Sequence, residues 1–188
     1  LLVQYVLIAA TLSYPYFAIN SATSSFKEWK RLTGDNFIER LYPNDATAID
    51  WMNDNIDGQP TIVEAVGESY TDYARVSSCT DIPTVLGWPV HEWLWRGSYS
   101  DPVQPPSRVQ TEYEGDDTVV QRINDVQSIY TSNDQSEVKG LLEKYQVEYI
   151  YIGRLEYNKY PSLNIELLKS LGEIIYQDNP VVIIEVRG

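Results

Sequence analysis

The chain is short of cysteine, histidine and positive charge: among 188 residues it has one Cys, one His, and 14 Lys and Arg against 27 Asp and Glu. Cys79 alone excludes an internal disulfide and any cysteine-built zinc centre. The net charge of −13 opposes nucleic acid and anionic lipid surfaces, because no cluster of Lys and Arg offsets the long-range repulsion. Also absent are a phosphate-binding Gly-x-x-x-x-Gly-Lys loop, Gly-x-Gly-x-x-Gly, the Gly-x-Ser-x-Gly elbow and His-Glu-x-x-His. No spacing favours a triad of His91 with Ser69, Ser77 or Ser78. Acidic oxygens remain as ligands for a hard cation, but Gly115-Asp116-Asp117 reads better as a helix cap, so neither metal nor cofactor is expected.

Aromatic residues, in contrast, are plentiful, with fifteen Tyr and five Trp. Three of the tryptophans, the one histidine, a glutamate and an arginine fall between two glycines in Gly87-Trp88-Pro89-Val90-His91-Glu92-Trp93-Leu94-Trp95-Arg96-Gly97. Rings with polar tips suit sugar faces, protein interfaces and membrane headgroups. The segment is therefore either a recognition surface or a turn whose rings pack inward while His91, Glu92 and Arg96 offset one another.

Residues 1–19 carry no charge. An apolar helix ending near Ser13 would be roughly 20 Å long against a hydrocarbon core of about 30 Å, so this stretch is expected to be the end of a transmembrane helix. A signal peptide lacks support because no basic n-region or small-x-small site is present; a buried amphipathic helix is the remaining alternative. Residues 20–43 read as a polar connector, and 44–188 as one domain, since a chain of this length and 43% hydrophobic content builds a single core.

Within that domain Ile49, Met52 and Ile56 have helical spacing, with Asp45 as cap and Gly58 as stop. Thr61 to Gly67 reads as a buried strand, Pro83 to Gly87 as a short one and Ser98 to Asp117 as a loop. Helices are expected over 116–130, 134–145 and 163–171, a strand over 147–153, and a hairpin from 173–177 and 181–186 about Asp178-Asn179-Pro180. The fold class is α/β: a layered domain with a mostly parallel mixed sheet and a C-terminal antiparallel hairpin, preceded by a membrane-helix stub.

Ligands of open α/β sheets sit beyond the carboxyl ends of parallel strands. That rule brings Glu64, Tyr70, Tyr73 and Arg75 beside Trp88, His91, Glu92, Trp95 and Arg96 as a substrate-binding crevice under the 98–117 loop. A buried Glu64 needs a partner, for which Arg75, Arg96 and Tyr70 are the candidates; a structural Glu–Arg pair is the competing role. Glu64 and Glu92 are also the pair that a glycoside hydrolase would use.

These residues carry a resemblance. Tyr14-Pro15 after an apolar run, Ala48 to Asn53, Ile62 to Gly67 with Ser69-Tyr70, Ala74 to Ser77, and above all Pro83-Thr84-Val85-Leu86-Gly87-Trp88 with His91-Glu92 and Trp95-Arg96 resemble the C-terminal region of the archaeal and chloroflexal YYY membrane proteins. Ile129-Tyr130, Leu141 to Tyr145 and Tyr149 to Gly153 fit the same pattern, while Asp81 stands where a small residue is common. That family is similar to the GT-C superfamily of polytopic glycosyltransferases, which take sugar from a lipid-phosphate donor. The resemblance implies an extracytoplasmic, non-catalytic domain of a membrane protein that assists recognition of a glycan or lipid-linked sugar, the catalytic acid lying among spans outside this sequence. An interaction or assembly domain of a membrane complex is the alternative.

Overall fold

The computed structural model describes residues 2–23, 25, 36–96 and 118–187. Its helices are α1 (Leu2–Ala22), α2 (Asn36–Leu41), α3 (Pro43–Asn55), α4 (Arg75–Thr80), α5 (Pro89–Arg96), α6 (Thr118–Thr131), α7 (Gln135–Lys144), α8 (Arg154–Lys159) and α9 (Ile165–Ser170). Four strands, β1 (Thr61–Val63), β2 (Val147–Ile152), β3 (Gly172–Asp178) and β4 (Val181–Val186), form one mixed sheet in the order β1-β2-β4-β3. The fold is α/β and layered, with the hairpin at its edge.

Its pairing is less parallel than the sequence indicated. β1 and β2 run parallel, whereas β2–β4 and β4–β3 are antiparallel. Residues 83–87 account for part of the difference: Thr84 makes an isolated parallel bridge to Ile62, held by Ile62 N–H to Pro83 O (2.9 Å) and Val85 N–H to Ile62 O (3.0 Å). Pro83 has no N–H to donate, so the pairing does not extend into a strand. β1 is also shorter than read, because beyond Val63 the chain leaves the ladder and Glu64 bonds to α4 instead.

Side chains alternate across the sheet with period two. From β2 and β4, Ile150, Ile152, Val182 and Ile184 enter one core with Val126, Ile129, Val138 and Leu142 of α6 and α7. Tyr151, Val181 and Ile183 enter the other with Ala48, Ile49 and Met52 of α3 and Val76 of α4. Helices thus cover both faces. Burying each such side chain contributes about 1.5–3 kcal/mol relative to exposure, and Ile150, Ile183 and Ile184 are fully buried. Ile38 of α2 joins the second core, so the packed body includes a helix from the stretch read as connector.

Three helix starts are legible. α3 starts on Pro43, whose missing N–H is no loss in a first turn, while Asp45 is drawn inward rather than capping. Asp134 accepts from Ser136 N–H and Glu137 N–H to start α7, as its position predicts. Asn164 does the same for α9 through Leu167 N–H. Residues 89–96, for which the sequence left a recognition surface or an inward-packed turn, are helical: Pro89 occupies the first turn and Glu92 N–H reaches Trp88 O at 3.0 Å.

α1 is longer than the segment ending near Ser13 and continues through Pro15 to Ala22. Its Val3, Tyr5, Leu7, Ile8, Leu12, Tyr14, Tyr16 and Phe17 are all exposed. No helix among the described residues is long and apolar enough to cross a membrane.

Candidate functional site

Two polar clusters lie beyond the carboxyl end of β1, and they differ in kind. The first is a sealed ionic hub. Arg75, at the start of α4, donates through Nε and Nη2 to Asp45 Oδ1, and through Nη2 to Glu156 Oε2 at 2.9 Å. Tyr151 Oη–H donates to Asp45 Oδ1 at 3.0 Å, and Glu156 accepts from Ala65 N–H (2.9 Å) and Gly153 N–H (2.8 Å). Gly153 leaves room for the cluster, since a Cβ there would stand 2.7 Å from Asp45 Oδ1 and 3.0 Å from Arg75 Nη2.

Glu64 adjoins this hub without pairing directly to Arg75. Its two oxygens accept from Val76 N–H and Ser77 N–H, each at 3.0 Å, which satisfies the open end of α4. Burial pushes the Glu64 carboxyl above its ordinary value, with the Ser77 hydrogen bonds and Arg75 opposing that rise. Burial works against the Arg75 charge too, but Glu156, Tyr151 and Asp45 outweigh it and hold the guanidinium well above its ordinary value. Tyr130, fully buried, places its hydroxyl 3.0 Å from Val63 O and 2.7 Å from Tyr151 O, and its ring stacks on Tyr160 at 4.8 Å. Burial keeps the Tyr130 and Tyr151 phenols protonated.

Asp45, Glu64, Arg75 and Glu156 are each at most 2% exposed. A ligand therefore has no access to them, and their hydrogen bonds are internal. This corrects the expected crevice: Glu64 and Arg75 belong to the core. It also removes the glycoside hydrolase, whose acid and nucleophile must both face substrate. Asp45 and Glu156 were missed as partners. The signal for Glu156 was its place three residues after Gly153, in the first turn of a helix that directly follows β2.

The second cluster is open. Ala74, Ser77, Ser78, Thr84, Gly87, Trp88, His91 and Glu92 line a groove of about 470 Å³. Ser69 Oγ accepts from Val90 N–H at 3.1 Å, tying the loop after β1 to the first turn of α5. Trp88 Nε1–H donates to Tyr73 O at 2.7 Å, and Gly87 N–H to Glu92 Oε1 at 3.4 Å. Tyr73 fits over Gly67, where any Cβ would collide with its ring. These ties fix an aromatic triad: Tyr70–His91, Tyr70–Trp88 and Trp88–His91 centroids lie 5.0, 5.4 and 5.5 Å apart.

Two features mark this groove as unfinished. Among the described residues His91 Nε2 and Thr84 Oγ1, both enclosed, have no hydrogen-bond partner, at a cost of about 1–3 kcal/mol for each such atom. Tyr70 and Ala74 have φ of +62° and +60°, a strained left-handed backbone for residues with a Cβ. Tyr70 is nonetheless 76% exposed, so this strain presents a ring to solvent rather than to the core.

The structure thus brings Tyr70, Trp88, His91 and Glu92 to one place, with Tyr73 supporting Trp88 from behind through its carbonyl. Trp93 packs against the core instead. The side chains of Trp95 and Arg96 and the expected 98–117 loop lie outside the described residues.

No family model matches the chain. No curated protein matches it either. Among solved structures, it is similar to a crystal structure of the C-terminal globular domain of oligosaccharyltransferase from Archaeoglobus fulgidus, at 13% identity and a TM-score of 0.42, over 84% of this chain and 100% of that one.

Proposed function

We propose that this chain is a non-catalytic recognition domain of a GT-C-like membrane glycosyltransferase, and that the Tyr70–Trp88–His91 groove receives a glycan or a lipid-linked sugar. The observation that carries the reading is the pairing of aromatic faces with the polar side chains of an open groove. A sugar ring offers an apolar face for Tyr70 and Trp88, and hydroxyls for the polar side chains that line the groove, Ser77, Ser78, Thr84 and His91. The sequence resemblance to the YYY membrane proteins supports the same reading. In it, residues 1–19 belong to the bilayer and the packed domain, with α2 as part of it, lies outside the cytoplasm; the exposed apolar surface of α1 is what lipid would cover.

The test is a titration of the full 188-residue chain, held in lipid nanodiscs, with a polyprenyl-phosphate sugar and with free glycans. Binding is expected to weaken in Trp88→Ala and His91→Ala while the circular-dichroism spectrum is unchanged. Wild-type binding by both variants, or no binding by the parent chain, refutes the reading and leaves an interaction or assembly domain as the better one.

A further inference from the structure

Resting on the membrane placement in that reading, we infer that α1 enters the bilayer end-on, with lipid chains on every side, and that a girdle of Tyr14, Tyr16 and Phe17 marks the headgroup boundary. All 14 basic and 27 acidic residues lie beyond residue 26, the first of them being Lys27. The length before it suits a medium that admits no charge, while the rest of the chain carries the whole net charge of −13. Apolar side chains stand exposed on opposite sides of α1: Leu7 and Tyr14 share one side, and Leu12 and Ile19 lie about 140° round the helix at about 3.6 residues per turn. A helix resting on a membrane surface keeps a polar face for water, and α1 has none. A helix apolar all round is enclosed by protein core or by lipid, and the packed domain supplies no core around these exposed side chains. Its hydroxyls need no water, since Thr11 Oγ1–H donates to Ile8 O at 2.9 Å and Ser13 Oγ–H to Ala10 O at 2.6 Å. Gln4 is the one side-chain amide before the girdle, set among Val3, Leu7 and Ile8, which are apolar and exposed.

The girdle sets the level. Tyr14, Tyr16 and Phe17 fall within about 4.5 Å of helix rise but leave the axis in separate directions, and all three are exposed. Tyr16 and Phe17 meet edge to face with centroids 5.4 Å apart. Contact with another helix would gather large rings on one side. A lipid boundary surrounds a helix at one height, with phenol hydroxyls among the headgroups and ring bodies against the chains. Beyond the girdle, Asn20 and Ser21 bring polar side chains. Before it, Val3 to Ser13 cover about 15 Å, half of a hydrocarbon core of about 30 Å. This places α1 at one boundary of the bilayer; no helix among the described residues is long and apolar enough to cross it.

The experiment records the α1 backbone-amide NMR signals of the full chain in phosphatidylcholine nanodiscs, with a nitroxide on the lipid chains and then with a water-soluble gadolinium chelate. The lipid nitroxide is expected to broaden Leu7 to Leu12 and the chelate Asn20 to Ala22, with the crossover between Tyr14 and Phe17 and a smooth profile along the helix. Replacing the girdle by leucine (Y14L, Y16L and F17L together) lengthens the apolar run, and the crossover is expected to move about one turn, about 5.4 Å, towards Ala22. Broadening that oscillates with the helical turn overturns the inference, because lipid would then meet one face only. So does a crossover outside residues 14–17, or one that the triple variant leaves in place. Each of these outcomes leaves sugar recognition by the groove untouched, since that is read from ligand binding. No broadening of α1 by the lipid nitroxide removes both this inference and the membrane placement on which it rests.

Discussion

The Asp45–Arg75–Glu156 hub and the Tyr70–Trp88–His91 groove draw on overlapping stretches of chain, yet they have opposite hydrogen-bond accounts. In the hub every carboxylate and the guanidinium have partners within the protein, no water reaches them, and Gly153 gives up its side chain to make space. In the groove two enclosed polar atoms have none among the described residues, Tyr70 and Ala74 adopt strained backbone, and an aromatic ring faces solvent. Completeness, more than polarity, separates a cluster that holds a fold from one that awaits a ligand. Mutations should therefore divide the two regions cleanly: stability should respond in the hub, and binding in the groove.

The largest effect is expected from Arg75→Met. It strands Asp45 and Glu156 in the interior, and removing one partner of a buried ionic cluster costs about 3–5 kcal/mol, measurable by urea denaturation. If the variant is as stable as its parent, the hub is dispensable and the comparison fails. Gly153→Ala comes next, at about 1–3 kcal/mol, because the added methyl presses on Asp45 and Arg75.

Glu64→Gln is expected to cost a similar amount, about 1–3 kcal/mol, by leaving one of the Val76 and Ser77 N–H groups without an acceptor. It should also change the pH dependence. A carboxyl raised on folding binds its proton more readily in the folded state, so its contribution to stability is fully present below the ordinary value of 4.5 and declines as pH rises through the raised one. The parent chain should thus carry a falling component of stability above pH 4.5 that the Gln variant lacks. Parallel stability–pH curves for the two would show that Glu64 does not titrate as its burial requires.

The layers of the fold were readable in the sequence because alternation and helical spacing are local: 147–153, 134–145 and the terminal hairpin appear within a residue or two of their expected limits. The helical form of 89–96 was not, since its first turn is set by Ser69 from a distant loop and by Pro89, whose ring also permits a turn. In the same way, the partner of Arg75 depends on which of several carboxylates the sheet brings near. Asp45 looked like a cap from its neighbours alone, and only the packing of α3 against α4 and β2 turns it inward. Trp88 and His91 stood out by rarity and line an open groove, whereas Glu64 and Arg75 stood out equally and are internal. Residue type carries chemistry, but access comes from tertiary packing.

The smallest effect on stability, and the most informative, is expected at His91. Its Nε2 has no hydrogen-bond partner among the described residues, so His91→Phe removes an unsatisfied atom and keeps a ring against Tyr70 and Trp88. The decisive measurement is a methyl hexopyranoside titration of this variant beside the parent chain, with the urea midpoint of each recorded in the same buffer. An unchanged or higher midpoint with binding weakened about tenfold is the result expected of a stable groove built for a ligand. A lowered midpoint with binding intact would contradict it and make the groove part of the core.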